Sequence, residues 1–368
     1  MTTEVTDIGV GTIRTGLLGG GFMARVHTAA ARAAGAELIG VATSTAAGGQ
    51  RAAHALGYRR GEPDADALVR ADDIDIVHIC TPNATHAGLA AAALAAGHHV
   101  ICEKPLAVDA AQARALAQTA RERGVVAAVP FVYRYHPMVR EARARVAAGE
   151  LGAILTIDAA YLQDWMLLES DDDWRADVAS GGRSRAFADI GSHLFDLIEF
   201  VSGEPVVRLT ARSRRVFDHR GGHVVDNEDI AAVLFELGSG AVGTALISQM
   251  AAGRKNALTV ELHGSRRSAR FEQENPEQLW IGDRTGSHLL LRDPQTAHPD
   301  SARLQRLPAG HPQGYQDAFD AFVADAYAAV SGFAADGLPT FADGVRASQI
   351  TEAVLASAAG GGWVEVGS

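Results

Sequence analysis

The chain has 368 residues, 47% of them hydrophobic, with 33 Lys+Arg against 44 Asp+Glu and a formal net charge of −11. That content fills sizeable cores and excludes disordered and fibrous classes. The acidic balance, with a pI near 5.7, leaves no basic stripe for a phosphate backbone and so excludes nucleic acid as the main partner.

Residues 1–11 carry Glu4 and Asp7 and show no basic start followed by an apolar run, so no secretory signal is read there. The longest apolar run, 87–97, is too short to span a bilayer. Cys80 and Cys102 alone supply neither a disulfide framework nor a zinc quartet. A cytoplasmic protein with no membrane partner and no metal is expected.

From residue 13 to about 130, short apolar runs at 13–18, 37–42, 75–80, 99–102 and 125–129 read as strands. Alanine-rich segments at 23–34, 48–56, 86–96 and 109–123 read as the helices between them. This alternation predicts a doubly wound parallel sheet. Beyond a helix at 137–148, longer strands are expected at 153–162, 206–216, 230–237, 241–248, 258–263 and 279–281. Gly238-Ser239-Gly240 reads as a hairpin turn, and helices at 315–330 and 342–358 close the chain. The expected fold is an α/β Rossmann domain over 12–130, joined to an α/β domain over 131–368 whose sheet is largely antiparallel and open on one face. A cleft between them is the natural ligand site.

The first strand runs into Gly19-Gly20-Gly21-Phe22-Met23-Ala24, a G-x-G-x-x-A arrangement opening a helix. Gly19 suits the tight turn, Gly21 lets backbone N–H groups approach a pyrophosphate, and Ala24 allows close helix–strand packing. The second strand ends at Val41-Ala42-Thr43-Ser44-Thr45 with no acid to grip a ribose. Thr43 and Ser44, with Arg51 nearby, leave NAD or NADP open, with a lean to NADP.

Three more motifs follow: Thr81-Pro82-Asn83 with His86, then Glu103-Lys104-Pro105, then Asp189-Ile190-Gly191-Ser192-His193. Oxidising a secondary alcohol needs a base and a cation near the developing alkoxide, and His193 and Lys104 meet those needs. Asp189 and His193, four apart on a helix, share a stripe, so Asp189 could fix the imidazole tautomer or bind a second hydroxyl.

In this order the motifs resemble the Gfo/Idh/MocA family, the relatives of glucose-fructose oxidoreductase and inositol dehydrogenase, over essentially the whole chain after about residue 12. The resemblance implies Lys104 and His193 as the catalytic pair, which of them takes the proton being open, with Asp189 assisting. Cofactor contacts are expected at Gly19, Gly21, Phe22, Met23, Thr43 and Ser44 from the glycine turn and second strand, with Glu103 and Lys104, and the resemblance implies them at Thr81, Pro82 and Asn83. Family members often have a cis bond before the matching proline, so Pro105 is cis or ordinary trans.

On the substrate side stand Tyr133 and Arg134 in the segment linking the domains, Trp165, Trp174 and Arg175 ahead of Asp189, Tyr315, and His86, which could equally start its helix. No cation cluster announces a charged substrate. The expectation is an NAD(P)-dependent dehydrogenase of an uncharged sugar or cyclitol, and the resemblance implies a homodimer or homotetramer joined through the open sheet face. The alternatives are an NAD-dependent glycosidase using transient ring oxidation and a non-enzymatic dinucleotide sensor. Of the two lysines, Lys255 is expected at the surface.

Overall fold

A computed structural model describes residues 12–367, so the reading of residues 1–11 lies outside the described residues. The first layer is built from β1 (Arg14–Leu18), α1 (Phe22–Ala33), β2 (Glu37–Ala42), α2 (Ala46–Leu56), β3 (Arg60–Gly61), α3 (Ala65–Val69), β4 (Ile76–Ile79), α4 (Asn83–Ala96), β5 (His99–Cys102), α5 (Ala110–Arg123) and β6 (Ala127–Ala128). The strands pair in parallel in the order β3-β2-β1-β4-β5-β6. Helices cover both faces of this sheet, so its central strands are continuous apolar runs: every residue of β4 is buried. Side-chain caps set two helix starts, with Thr45 accepting from the Gly48 N–H and Asp109 from the Gln112 N–H. Strand order reverses beside β1 and β4, and their carboxyl ends open a crevice there.

After α6 (Pro137–Ala147) the second sheet begins with β7 (Ile154–Leu162), followed by α7 (Val178–Gly181), α8 (Ser192–Ser202), β8 (Val206–Arg214) and a small hairpin of β9 (His219–Arg220) and β10 (His223–Val224). Then come β11 (Ile230–Leu237), β12 (Val242–Ser248), β13 (Ala257–Gly264), β14 (Ser268–Glu272), β15 (Gln278–Asp283), β16 (Gly286–Leu291), α9 (Pro299–Ala302), α10 (Tyr315–Val330), α11 (Phe341–Gly360) and β17 (Val364–Glu365). Nine strands pair in the order β16-β15-β14-β13-β7-β12-β11-β8-β17. Only the β7–β12 pair is parallel among them. The predicted glycine turn joins β11 and β12 antiparallel, as expected. The side chains alternate: Ala231, Val233 and Phe235 of β11 are buried beneath α8, whereas Ala232 and Leu234 are exposed on the opposite face.

The last helices do not stay with the second sheet. α10 packs on α1, and α11 packs on α5 as well as β8. Phe319, Phe322 and Val323 are fully buried in one cluster with Leu17, Ala24, Ala30 and Ile76. Truncating either phenylalanine to alanine should cost about 3–5 kcal/mol. Strands expected at 37–42 and 99–102 occupy those bounds, whereas β3, α3, β14, β16 and β17 were not foreseen. No helix among the described residues is long and apolar enough to cross a membrane.

Candidate active site

A cleft of about 1140 Å³ lies between the carboxyl ends of the first sheet's strands and one end of the second sheet. Its first wall is the turn from β1 into α1. Gly19 sits at φ +122, and a Cβ there would stand 2.6 Å from the Cys80 carbonyl oxygen, so β1 and β4 approach closely only with glycine. At Gly21 an added Cβ meets nothing within 4 Å, and Gly21 caps α1 with no side-chain hydrogen bond. The first N–H groups of α1 therefore face an open cradle, the arrangement a pyrophosphate needs. The glycine turn and the volume of the cleft fit a dinucleotide, with Phe22, Met23, Thr43, Ser44, Thr81 and Pro82 along the same lining.

The opposite wall carries the titratable groups. Lys104 follows β5, and the Lys104–Pro105 peptide is cis. Its Nζ donates to Asp189 Oδ1 at 2.6 Å and to the Asp189 main-chain carbonyl at 2.7 Å. Asp189 lies in a π-helical turn, Phe187–Gly191, that leads directly into α8. Gln249 Nε2 donates to Asp189 Oδ2 at 2.8 Å, and Arg175 Nε stands 3.4 Å from Oδ1. Burial would raise the Asp189 pKa, but Lys104 and then Arg175 outweigh it and hold the carboxyl at about 2.

His193, one turn on in α8, is buried edge-on to Phe131 and Tyr133. Burial, followed by the Lys104 charge, lowers its pKa to about 3 against the pull of Glu103 and Asp189, so the imidazole is neutral at neutral pH. Its Nδ1 is buried and makes no hydrogen bond among the described residues. Nearby, the Tyr133 and Tyr161 hydroxyls lie 2.5 Å apart, Tyr161 donates to Asn256 Oδ1 at 2.7 Å, and Gln163 Nε2 donates to the same oxygen at 2.8 Å. These groups, with Trp174 and Tyr315, give the cleft aromatic walls with a polar edge.

The remaining expected site residues fall into two groups. His86 and Asn83 line the cleft, but their polar atoms are engaged in holding the fold. The His86 ring nitrogens face the Pro105 and Thr81 carbonyl oxygens at 2.7 and 2.8 Å, and Asn83 Nδ2 donates to the Gly181 carbonyl at 2.9 Å. Arg134 and Trp165 do not line it. Arg134 forks onto Asp196 at 2.8 and 2.5 Å and also reaches Asp343 at 2.6 Å, while the Trp165 indole N–H donates to Gln163. The turn Val132–Tyr135 explains the split, since it sends Tyr133 toward His193 and Arg134 toward α8 and α11. Lys255 is exposed and paired with Asp164, as expected of a surface residue. Asp173 lines the cleft and pairs with Arg175, and no group of three or more candidate metal ligands occurs among the described residues. Gln249 and Asn256 were not foreseen; both are neutral amides at strand ends, outside any motif.

A glycine-lined helix start facing a Lys–Asp–His cluster across one cleft defines a dinucleotide-dependent oxidoreductase of two α/β layers. The comparisons agree: residues 13–131 match the oxidoreductase family model with an NAD-binding Rossmann fold, and residues 139–270 match the Gfo/Idh/MocA C-terminal domain. The chain belongs to the Gfo/Idh/MocA oxidoreductase family. It is 32% identical to levoglucosan dehydrogenase of Pseudarthrobacter phenanthrenivorans over 96% of this chain and 98% of that protein. A levoglucosan dehydrogenase structure in complex with NADH and levoglucosan superposes with a TM-score of 0.91 at 30% identity, covering 97% of this chain and 99% of the other. An inositol dehydrogenase homolog from Azotobacter vinelandii, complexed with NADH and myo-inositol, gives 0.87 at 28% identity over 96% and 97%.

Proposed function

We propose that the chain is an NAD-dependent dehydrogenase acting on a secondary ring hydroxyl of an uncharged pyranose or cyclitol. The observation that carries this reading is the Lys104–Asp189–His193 cluster set in the same cleft as the open glycine cradle. A bound nicotinamide would supply the hydride acceptor. The residues manage the proton. An ammonium has three donors, and Lys104 directs two at Asp189, which leaves one for the substrate oxygen as it gains negative charge. Neutral His193 takes the hydroxyl proton while the C–H electron pair leaves as hydride and the carbonyl forms.

The cations lining the cleft, Lys104 and Arg175, are both engaged with Asp189. None is left for a phosphate or carboxylate on the substrate, and none lines the cleft beside Thr43 and Ser44 for the 2′-phosphate of NADP. This supports NAD, against the lean to NADP read from the second strand. The division near residue 130 separates the cradle-bearing layer from the one that brings Asp189 and His193. Unpaired Cys80 and Cys102 support a cytoplasmic location. Leu234, Val242 and Leu246 stand exposed on the sheet face opposite the helices, which supports a homo-oligomer through that face.

The test is cofactor reduction by purified protein against anhydrosugars, aldopyranoses and inositols, with NAD and NADP in parallel. Net NADH formation with a free sugar or cyclitol is expected. Glycoside cleavage without net reduction, or dinucleotide binding with no turnover, would replace the assignment by the glycosidase or sensor alternative.

A further inference from the structure

Behind the cleft, in the first layer, four polar side chains line up in the core. Tyr327 of α10, His78 of β4, His27 of α1 and Glu103 after β5 are each less than a tenth exposed. The Tyr327 hydroxyl is 2.9 Å from His78 Nε2, the two histidines meet Nδ1 to Nδ1 at 2.9 Å, and His27 Nε2 is 3.0 Å from Glu103 Oε1. The other Glu103 oxygen, Oε2, accepts the main-chain N–H of Lys104 at 3.2 Å. The chain thus ends on the residue whose ammonium meets Asp189.

We propose that Tyr327, His78 and His27 form a one-directional hydrogen-bond chain that holds Glu103 as an acceptor-only carboxylate and, through it, positions Lys104 for the reaction. The direction follows from valence. The Lys104 N–H already donates to Glu103 Oε2, and a carboxylate offers only acceptors, so His27 must donate from Nε2. A neutral His27 then has only a lone pair on Nδ1, so His78 must carry its proton on Nδ1. His78 Nε2 is left as an acceptor, and the Tyr327 hydroxyl donates to it. Every ring nitrogen is satisfied in this arrangement, and burial lowers the His78 pKa well below its usual value. These are positioning residues, since none of the three lines the cleft.

The chain also joins the two parts of the fold. Tyr327 reaches it from the returning helix α10, and Phe319 of the same helix packs 4.7 Å from the His27 ring. The setting of Lys104 therefore depends on how α10 seats against α1.

The kinetic arm rests on the dehydrogenase reading, whereas two spectroscopic arms do not. Ring 15N spectra of the full-length protein near pH 7 should show both histidines neutral, His27 protonated on Nε2 and His78 on Nδ1; an imidazolium or the reverse tautomers would overturn the chain. With only two lysines, selective 13Cε labelling resolves Lys104 from Lys255 once Lys255→Arg assigns the surface signal. His27→Leu should move the Lys104 signal and lower kcat by about tenfold or more, with the sugar KM changed by less than about threefold. His27→Gln keeps a donor toward Glu103 and an acceptor toward His78, and should restore both readouts. An unmoved Lys104 signal and unchanged kcat in folded His27→Leu would overturn the proposal. If that variant does not fold, Tyr327→Phe, which removes the terminal donor, is read against the same criteria. If the wild-type protein reduces no dinucleotide with any sugar, the dehydrogenase reading falls and the spectra still decide the chain.

Discussion

Lys104 holds Asp189 at two points, donating to its side chain at 2.6 Å and to its main-chain carbonyl at 2.7 Å. The contact crosses from the end of β5 to the turn before α8, so it fixes the ammonium beside the neutral His193 ring. Lys104→Met should lower kcat by about 10²–10³, the usual loss for one charged donor at a developing oxyanion, while NAD affinity changes little. Arginine should not rescue it, because a planar fork cannot reproduce the two converging contacts and leave a third donor over. Stopped-flow turnover alongside NAD titration checks both statements; wild-type turnover in Lys104→Met would remove it from the reaction.

The pH dependence follows from His193. Its folded value of about 3 lies below the ordinary 6.5, so the base form persists into acid. The acid limb of kcat/KM, which reports the free enzyme, should therefore fall below about pH 5. A limb centred at pH 6 or above would contradict the neutral imidazole. The stability effect has a definite sign. Between 6.5 and about 3 the unfolded chain protonates this histidine and the folded chain does not, so stability declines as pH falls through that window. Asp189, held at about 2 against an ordinary 3.8, adds stability above 3.8 that is lost as pH falls toward 2. His193→Asn should flatten the decline in the upper window, measured by urea unfolding at each pH.

The two glycines of the first turn should fail differently. Gly21→Val places its branches in open space, so the melting temperature should hold while NAD affinity drops by about tenfold or more as the cradle fills. Gly19→Ala forces a Cβ to within 2.6 Å of a main-chain oxygen at a positive φ, and should destabilise the fold itself. Calorimetry of NAD binding with thermal melts of both variants separates the two effects; equal loss of melting temperature would refute the open cradle.

For the oligomer, Leu246→Asp puts a charge at the centre of the exposed face of β12, beside Ala232 of β11 and Ala160 of β7. Light scattering should show the variant at the protomer mass of 38.5 kDa and the wild-type chain at a multiple of it. A wild-type protein already at the protomer mass would remove the interface.

Much of this architecture is legible in the residues. The apolar runs that became β2 and β5 are buried on both faces and bounded by polar residues, so their limits read directly. β3 has two residues and shows no period, and β14 interleaves Arg270 and Glu272 with its buried Ala269 and Phe271, which masks the strand. The glycine turn and Lys104, Asp189 and His193 stand in local motifs, which makes them legible in the sequence. Gln249 reaches Asp189 and Asn256 lines the cleft only because β12 ends and β13 begins there, and pairing across the sheet leaves no mark in local sequence. Arg134 is expected at the substrate from the segment that links the domains, yet one tight turn sends it to Asp196 and Asp343 while Tyr133 lines the cleft.

The return of α10 to the first sheet has a consequence for how the molecule is made. Phe319 and Phe322 complete the core beside α1, but they leave the ribosome long after the strands and helix they cover. The dinucleotide-binding layer, although encoded before α10, cannot close until that helix has been made. A stalled nascent chain lacking residues 315–330 would expose the apolar faces of β1 and α1 that these side chains cover. Chaperone dependence should accordingly track the completion of α10 rather than that of residues 13–130.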